Sequence, residues 1–247
     1  MNFKGLASGL FSLFLPADCK ICGKALEPLN FSYICENCWD RVKLLKMPHC
    51  SRCAKPFPAS LAFLEVPSLL CTECSQDSSP FKKIFVPTLY EGVMKDAIHL
   101  LKYRRKKGIM KQLEKILKVY FFQTDFPFSK FDLVVPIPLH RKKLKERGFN
   151  QAELLARVIA THFGLKLVKN NLQRVKATKS QTSLSKKKRI ENIKGAFQFR
   201  NKGKFQAKKI LLVDDVYTTG TTVREAARVL KKAKARETYI FTLARAS

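Results

Sequence analysis

Ile210-Leu211-Leu212-Val213-Asp214-Asp215-Val216-Tyr217-Thr218-Thr219-Gly220-Thr221-Thr222 is the stretch on which the fold turns. Four large apolar residues in a row are too apolar for a strand with one wet face. They suit a strand covered on both sides, as in a parallel sheet. Two acids stand at the end of this strand, then comes a small hydroxyl-rich turn. A helix opens at Thr222, with Val223, Ala226, Ala227 and Leu230 on one face. Open α/β sheets bind their ligands beyond the carboxyl ends of such strands. The turn offers backbone N–H groups and hydroxyls to an anion, and the helix start adds its positive dipole end. Gly220 lets the backbone come close to a phosphate. The acids would repel phosphate, but they can accept hydrogen bonds from vicinal ribose hydroxyls or hold Mg²⁺. The plainer alternative is a strand–turn–helix with Asp and Thr as turn and cap residues. A Walker loop is excluded, because no Gly-Lys-Ser/Thr ending is present.

Outward from this stretch, strand and helix patterns alternate, which predicts an α/β sheet. Ile84 to Tyr90 reads as a strand, Gly92 to Tyr103 and Met110 to Phe122 as helices, and Asp132 to Val135 as a short buried strand. Ala152, Leu155, Ala156, Ile159 and Phe163, with Phe149 ahead of them, predict a further helix. Ala177 to Arg189 is rich in Ser, Thr and Lys and reads as a mobile loop or basic hairpin. Glu237 to Ala244 closes the sheet. Toward the N-terminus, the polar segment Ser75 to Pro80 marks a boundary between residues 1–80 and 81–247.

After the strand at 132–135, Pro136-Ile137-Pro138-Leu139-His140-Arg141 leads into a cationic run ending at Arg147-Gly148-Phe149-Asn150-Gln151. Prolines fix the loop, and Arg forks with Lys point charges would receive a pyrophosphate. Pro136, Ile137, Pro138, Arg141, Arg147 and Lys102 are the candidates. A solvated basic helix start is the alternative reading. His140 reads as a structural or surface donor rather than a general base. His99 reads as a packing or solvent-facing residue.

All eight cysteines fall in the first third as four CxxC pairs: Cys19/Cys22, Cys35/Cys38, Cys50/Cys53 and Cys71/Cys74. This spacing suits metal better than disulfides and places the chain by default in the cytoplasm. Two structural zinc ions are expected. One would be held by Cys19, Cys22, Cys35 and Cys38, the other by Cys50, Cys53, Cys71 and Cys74. A cross-braced pairing of the first and third CxxC stays open. Four thiolates per ion leave no open catalytic position.

The chain has 247 residues with 48 Lys and Arg against 19 acids, a formal charge of +29. Such a balance points to polyanionic partners, with a merely solvated basic surface as the alternative. Single-stranded DNA contacts are expected at Tyr103, Arg104, Arg105, Lys106 and Lys107, and at Lys186, Lys187 and Lys188. Tyr103 stands where it could stack a base; Phe149 reads as core. Met1 to Ala17 reads as a short amphipathic helix rather than a secretion signal, and no stretch is apolar enough to span a bilayer.

The strand–Asp-Asp–Thr-Thr-Gly-Thr-Thr segment resembles the type I phosphoribosyltransferases. The resemblance implies that Asp214 and Asp215 hold the ribose hydroxyls of 5-phosphoribosyl diphosphate (PRPP). It also implies that Val216, Tyr217, Thr218, Thr219, Gly220, Thr221 and Thr222 wrap its 5-phosphate, with Mg²⁺ accompanying the ligand. Purine-salvage members carry a third acid where Thr218 stands, which argues against purine salvage. The chain as a whole resembles the ComF (ComFC) competence-protein family. The carriers are Leu101-Lys102-Tyr103, Pro136-Ile137-Pro138-Leu139-His140, Arg147-Gly148-Phe149-Asn150-Gln151, Gln181-Thr182-Ser183-Leu184-Ser185, Arg189, Gly195-Ala196-Phe197 and the Asp214–Thr222 loop, behind the CxxC region. The fold so implied is a type I phosphoribosyltransferase-like parallel sheet flanked by helices, after a small double zinc-ribbon-like domain. The function implied is PRPP binding and DNA uptake during transformation, with DNA-uptake helicase or channel proteins as partners. The alternative is an active Mg-dependent phosphoribosyltransferase acting on an unidentified acceptor.

Overall fold

A computed structural model describes residues 18–26, 33–46, 48–58, 60, 69–76, 78–124, 126–178 and 186–246. The apolar start from Met1 to Ala17 and the segment Gln181 to Ser185 lie outside these residues, as do the side chains of Lys186, Lys187 and Arg189. The strands are β1 (Ile84–Phe85), β2 (Thr88–Leu89), β3 (Leu133–Pro136), β4 (Lys166–Leu167), β5 (Leu172–Arg174), β6 (Phe197–Phe199), β7 (Lys209–Tyr217) and β8 (Glu237–Arg245). The helices are α1 (Glu36–Trp39), α2 (Thr72–Ser75), α3 (Gly92–Arg104), α4 (Met110–Gln123), α5 (Arg141–Arg147), α6 (Gln151–Phe163), α7 (Lys186–Ile193) and α8 (Thr221–Lys232).

The main sheet runs β1-β8-β7-β3-β4, parallel throughout, with β2 also paired to β8. β5 and β6 form a separate antiparallel pair. The chain steps outward from β3 to β4 on one side and from β7 to β8 on the other. The order therefore reverses between β3 and β7, which is where such sheets open a crevice.

Alternate residues of the central strands feed two cores. On one face Ile210, Leu212, Val135 and Ile240 pack with Val223, Ala226, Ala227 and Leu230 of α8, and Cys50, Cys53, Cys71 and Cys74 belong to the same cluster. On the other face Leu211, Val213, Val134 and Phe241 meet α3, α4 and α6, together with Cys19 and Cys38. Both faces of β7 are dry, which is why Ile210 to Val213 is uninterrupted by polar residues.

Three expectations are corrected. Ile84 to Tyr90 is two short strands. Pro87 has no N–H to give the ladder, yet the Ile84↔Ile240 and Thr88↔Ala244 pairings keep one continuous register. The acids Asp214 and Asp215 are inside β7 rather than at its end, because pairing with β8 continues to Tyr217↔Arg245. The basic stretch read as a loop or hairpin ends in helix: Lys186 to Ile193 is α7, and Ile193 is buried beneath it.

The chain before residue 80 is stitched to the sheet. Leu44 makes an antiparallel bridge to Thr88. Leu45 N donates to Pro87 O at 2.9 Å, and Leu89 N to Lys43 O at 3.0 Å. Ile84 N donates to Arg52 O at 2.9 Å. These bonds occupy the outer edge of β1 and β2.

Candidate functional site

Between the carboxyl ends of β3 and β7 lies a cavity of about 230 Å³. Register builds it: Pro136 pairs with Val213, and Ile137 N donates to Val213 O at 2.8 Å. The loop after β3 thus leaves beside Asp214 and Asp215. Asn150 holds that loop in place. Its Nδ2 donates to Ile137 O at 2.9 Å, while its Oδ1 accepts from Ala152 N at 3.1 Å and caps α6. This double role explains the Asn in Arg147-Gly148-Phe149-Asn150-Gln151.

The cavity holds charges of both signs. Asp215 accepts from Lys102 Nζ of α3 at 2.9 Å, both side chains being largely buried. Lys102 is pushed upward in pKa: burial alone would lower it, and the carboxylate of Asp215 outweighs that. The neighbouring Asp214 carboxyl is raised to about 7, first by burial and then by the charge of Asp215. Lys143, Arg147 and Arg174 also line it. Lys143 is depressed by burial and by the adjacent Arg174 and Arg147, and Arg174 is depressed by burial. Among the described residues that line the cavity, Asp215 Oδ2 and Gln151 Oε1 are buried acceptors without a hydrogen-bond partner. Orphaned buried acceptors are costly unless a ligand supplies donors or a cation. Hydroxyl donors or Mg²⁺ at the acids would meet that need.

The turn after β7 has a specific packing requirement. Gly220 sits at φ +73°, the left-handed region. A Cβ there would lie 2.5 Å from Tyr217 Cζ and nearer still to its hydroxyl oxygen. Tyr217 is buried beneath the turn, so the glycine leaves room for a supporting ring as well as for a ligand. The Arg245 guanidinium lies 5.1 Å from the Tyr217 ring centre. Arg245 is buried, with Nε and Nη1 lacking hydrogen-bond partners, and lies within electrostatic reach of Cys53. The Thr219 and Thr221 hydroxyls pair at 2.8 Å.

Of the candidate residues, Asp214, Asp215, Val216, Thr218, Thr222, Ile137, Lys102, Tyr103 and Arg147 line this cavity. Pro136, Tyr217, Gly220 and Thr221 are buried behind it, and Thr219 is half-buried in the turn. Pro138 and Arg141 line a different groove, with His140. His140 caps α5, its Nδ1 accepting from Lys142 N at 3.3 Å, which is the structural role expected of it. His99 is exposed at the cavity's side, its ring 5.2 Å from that of Tyr103. The cavity also recruits Tyr90, Lys143, Gln151 and Arg174, which sequence reasoning did not single out. Gln151 and Lys143 stand inside segments that were quoted. Arg174 arrives on β5, a strand of three residues that carries no periodic signal.

The basic run after α3 is engaged with the protein itself. Lys106 stands over the Tyr33 ring at 4.6 Å and Lys107 over Phe149 at 5.0 Å. Arg105 Nη2 donates to Glu146 O, and Arg147 stacks on exposed Tyr103 at 5.6 Å. Phe149 is core, as read. Arg104 and Lys188 are exposed.

The cysteines assemble as two quartets, Cys19/Cys22/Cys35/Cys38 and Cys50/Cys53/Cys71/Cys74, each with its sulfurs within 4.8 Å of one another. The cross-braced pairing is thereby excluded. Tetrahedral Zn–S bonds of about 2.3 Å imply sulfur–sulfur edges of about 3.8 Å. The observed edges are 3.8 Å (Cys19–Cys38), 3.7 Å (Cys22–Cys35) and 3.7 Å (Cys53–Cys71), too long for disulfides. Backbone donors complete both knuckles: Cys35 N to Cys19 Sγ and Cys71 N to Cys50 Sγ, each 3.3 Å. The donor sets fit structural zinc.

Comparison with known proteins agrees with this layout. Residues 144–247 match a family model described as a phosphoribosyl transferase domain, and residues 10–75 one described as a double zinc ribbon domain. The chain is 30% identical over 235 residues to the DNA utilization protein YhgH of Salmonella typhimurium, an alignment covering 94% of this chain and 99% of the relative. It is 28% identical over 216 residues to competence protein F of Haemophilus influenzae, covering 86% and 90% respectively. It is 29% identical over 222 residues to competence protein ComFC of Bacillus subtilis, covering 86% and 84%.

Proposed function

The chain belongs to the family of competence protein F, ComFC and the DNA utilization protein YhgH. From that premise we propose that it binds PRPP with Mg²⁺ in the cavity between β3 and β7, binds single-stranded DNA on its basic surface, and serves DNA uptake from the cytoplasmic side. The names of its relatives support a role in DNA uptake.

The observation that carries the PRPP reading is the mixed lining of the cavity. Acids with an orphaned acceptor share it with Lys143, Arg147 and Arg174. PRPP is built to the same plan, with a diol on its ribose and a diphosphate at C1. Asp214 and Asp215 would accept from the ribose hydroxyls and hold Mg²⁺, which when bound neutralises diphosphate charge. Arg147 and Arg174 would fork the diphosphate oxygens. The turn from Thr218 to Gly220 and the start of α8 would take the 5-phosphate through backbone N–H groups. Lys102, already paired with Asp215, would hold that carboxylate in place.

Isothermal calorimetry with Mg-PRPP tests the reading. The Asp214→Asn/Asp215→Asn double variant is expected to lose binding while remaining folded. Unchanged affinity would refute the site. PRPP turnover against a panel of bases, run beside a single-strand titration, separates a binding role from a transferase role.

A further inference from the structure

A second concavity, about 500 Å³ in volume, lies between the start of α5 and the antiparallel β5–β6 pair. Three arginines line it, Arg141, Arg174 and Arg200, with Gln173, Gln198 and Asn170, and no acid is among its described lining residues. Arg200 is fixed by its neighbour: the Gln173 amide oxygen, in the orientation that satisfies both groups, accepts from Arg200 Nε at 2.7 Å and from Nη2 at 3.1 Å. Arg174 is held 5.5 Å from the Phe197 ring centre and donates to Thr178 Oγ1, while its Nε is buried without a partner. Cations that line one groove favour an anion there. Exposed Leu144 and Val175 add apolar surface to the same groove.

We propose that this groove is where the chain grips single-stranded DNA. Phosphodiester oxygens would lie on Arg141, Arg174 and Arg200, and an adjacent base edge would face the carboxamides. The proposal rests on the single-strand reading above and moves its principal contact. The run Lys102 to Lys107 spends Lys102 on Asp215, Lys106 on Tyr33 and Lys107 on Phe149, whereas Arg141 and Arg200 are exposed along the groove. A volume of this size lies in the range of small-ligand clefts and admits a nucleotide. Carboxamides and guanidiniums suit the unpaired edges and phosphates of a single strand.

Arg174 and Leu139 line both this groove and the PRPP cavity. The two ligands would therefore draw on one guanidinium, so each weakens the other by the same factor, as linkage requires.

The test uses the full chain with zinc bound, a fluorescent oligo-dT strand and a salt series. Arg141→Gln/Arg200→Gln removes two exposed cations outside the PRPP cavity. Expected results are a loss of strand affinity of about tenfold or more and a salt slope shallower by about 1.4, from 0.7 per phosphate contact. Mg-PRPP affinity should be unchanged, and Arg141→Lys/Arg200→Lys should restore the slope. Wild-type affinity and slope in the Gln variant, with wild type binding the strand, would overturn the groove and leave the single-strand reading standing. Failure of wild type to bind oligo-dT would overturn both. Loss of Mg-PRPP or inorganic pyrophosphate affinity with strand binding intact would assign the groove to the PRPP site instead.

Discussion

In the first cysteine quartet Cys22 is exposed and Cys35 half-buried, whereas Cys50, Cys53, Cys71 and Cys74 are all buried. The quartets also sit on opposite faces of the sheet. Cys19 and Cys38 pack toward α3, and the second quartet shares a core with α8, Ile240 and Tyr217. CxxC spacing sets the geometry around each ion and is the same in both. What surrounds the sulfurs decides what the ion is worth to the rest of the molecule. The second quartet reaches the turn after β7 through Cys53, Arg245, Tyr217 and Gly220. The first has a local partner, Arg41 Nη2 donating to Cys38 Sγ at 2.9 Å.

The sharpest way to break this comparison is to remove one ligand from each quartet. Cys74→Ser should lower the melting temperature by about 10 °C or more and abolish Mg-PRPP binding, since a structural zinc holds roughly 10 kcal/mol of apparent binding energy and this one lies in the shared core. Cys22→Ser should cost less than about half of that shift and leave PRPP affinity intact. Metal analysis should find one zinc fewer in each. Equal shifts and equal loss of PRPP binding would erase the distinction.

A smaller effect is expected where the two faces are tied across β7. Lys102 comes from the face of the first quartet, and its loss leaves Asp215 buried without its partner. Lys102→Met should cost about 3 kcal/mol in urea unfolding, the usual consequence of orphaning a buried charge. A cost below about 1 kcal/mol would show that water reaches Asp215 freely.

Gly220→Ala probes the link from the second quartet to the turn. A left-handed backbone and the Tyr217 ring both oppose the added Cβ, so stability should fall by about 1–3 kcal/mol. PRPP affinity should fall with it, while both zinc ions stay bound. Retained PRPP affinity would mean that the turn tolerates displacement of Tyr217.

The smallest effect concerns pH. Asp214 has its carboxyl raised to about 7 in the fold, against about 3.9 in an unfolded chain. The folded state therefore holds this proton more tightly. The stability it contributes is present below about pH 3.9 and is lost as pH rises toward 7. Ligand binding runs the other way, because ribose hydroxyls and Mg²⁺ need the ionised form. Mg-PRPP affinity should rise several-fold from pH 6 to 8, and Asp214→Asn should flatten that rise. A wild-type profile as flat as that of the Asn variant would remove Asp214 from the site. Cys22→Ser should leave the profile unchanged.

Much of this was legible in the residues. The four CxxC pairs, the dry strand Ile210 to Val213 and the helix after Gly220 follow from spacing and periodicity, whereas the grouping of the pairs into two quartets needed the sulfur positions. Asp214 and Asp215 were placed at a strand end because polar residues usually mark one. Pairing with the full length of β8 overrides that local signal and carries β7 to Tyr217. The β5–β6 pair escaped notice because three-residue strands separated by more than twenty residues leave no pattern to read. With it went Arg174, which both cavities share. The Lys102–Asp215 contact joins residues 113 apart in sequence, and nothing local to either announces it. The lysines from 186 to 188 looked like loop because lysine says nothing about backbone when its neighbours are hydroxylic.

The stitching of Lys43 to Leu45 and of Arg52 onto β1 and β2 has a consequence for cells short of zinc. Those bonds close the one side of the main sheet that ends in two very short strands. Without metal, the segments that supply them lose their scaffold, and the uncovered strands present unpaired N–H and C=O groups to any passing chain. Zinc starvation would then make this protein a substrate for aggregation and proteolysis rather than an idle but soluble apoprotein, so its abundance would track the metal supply.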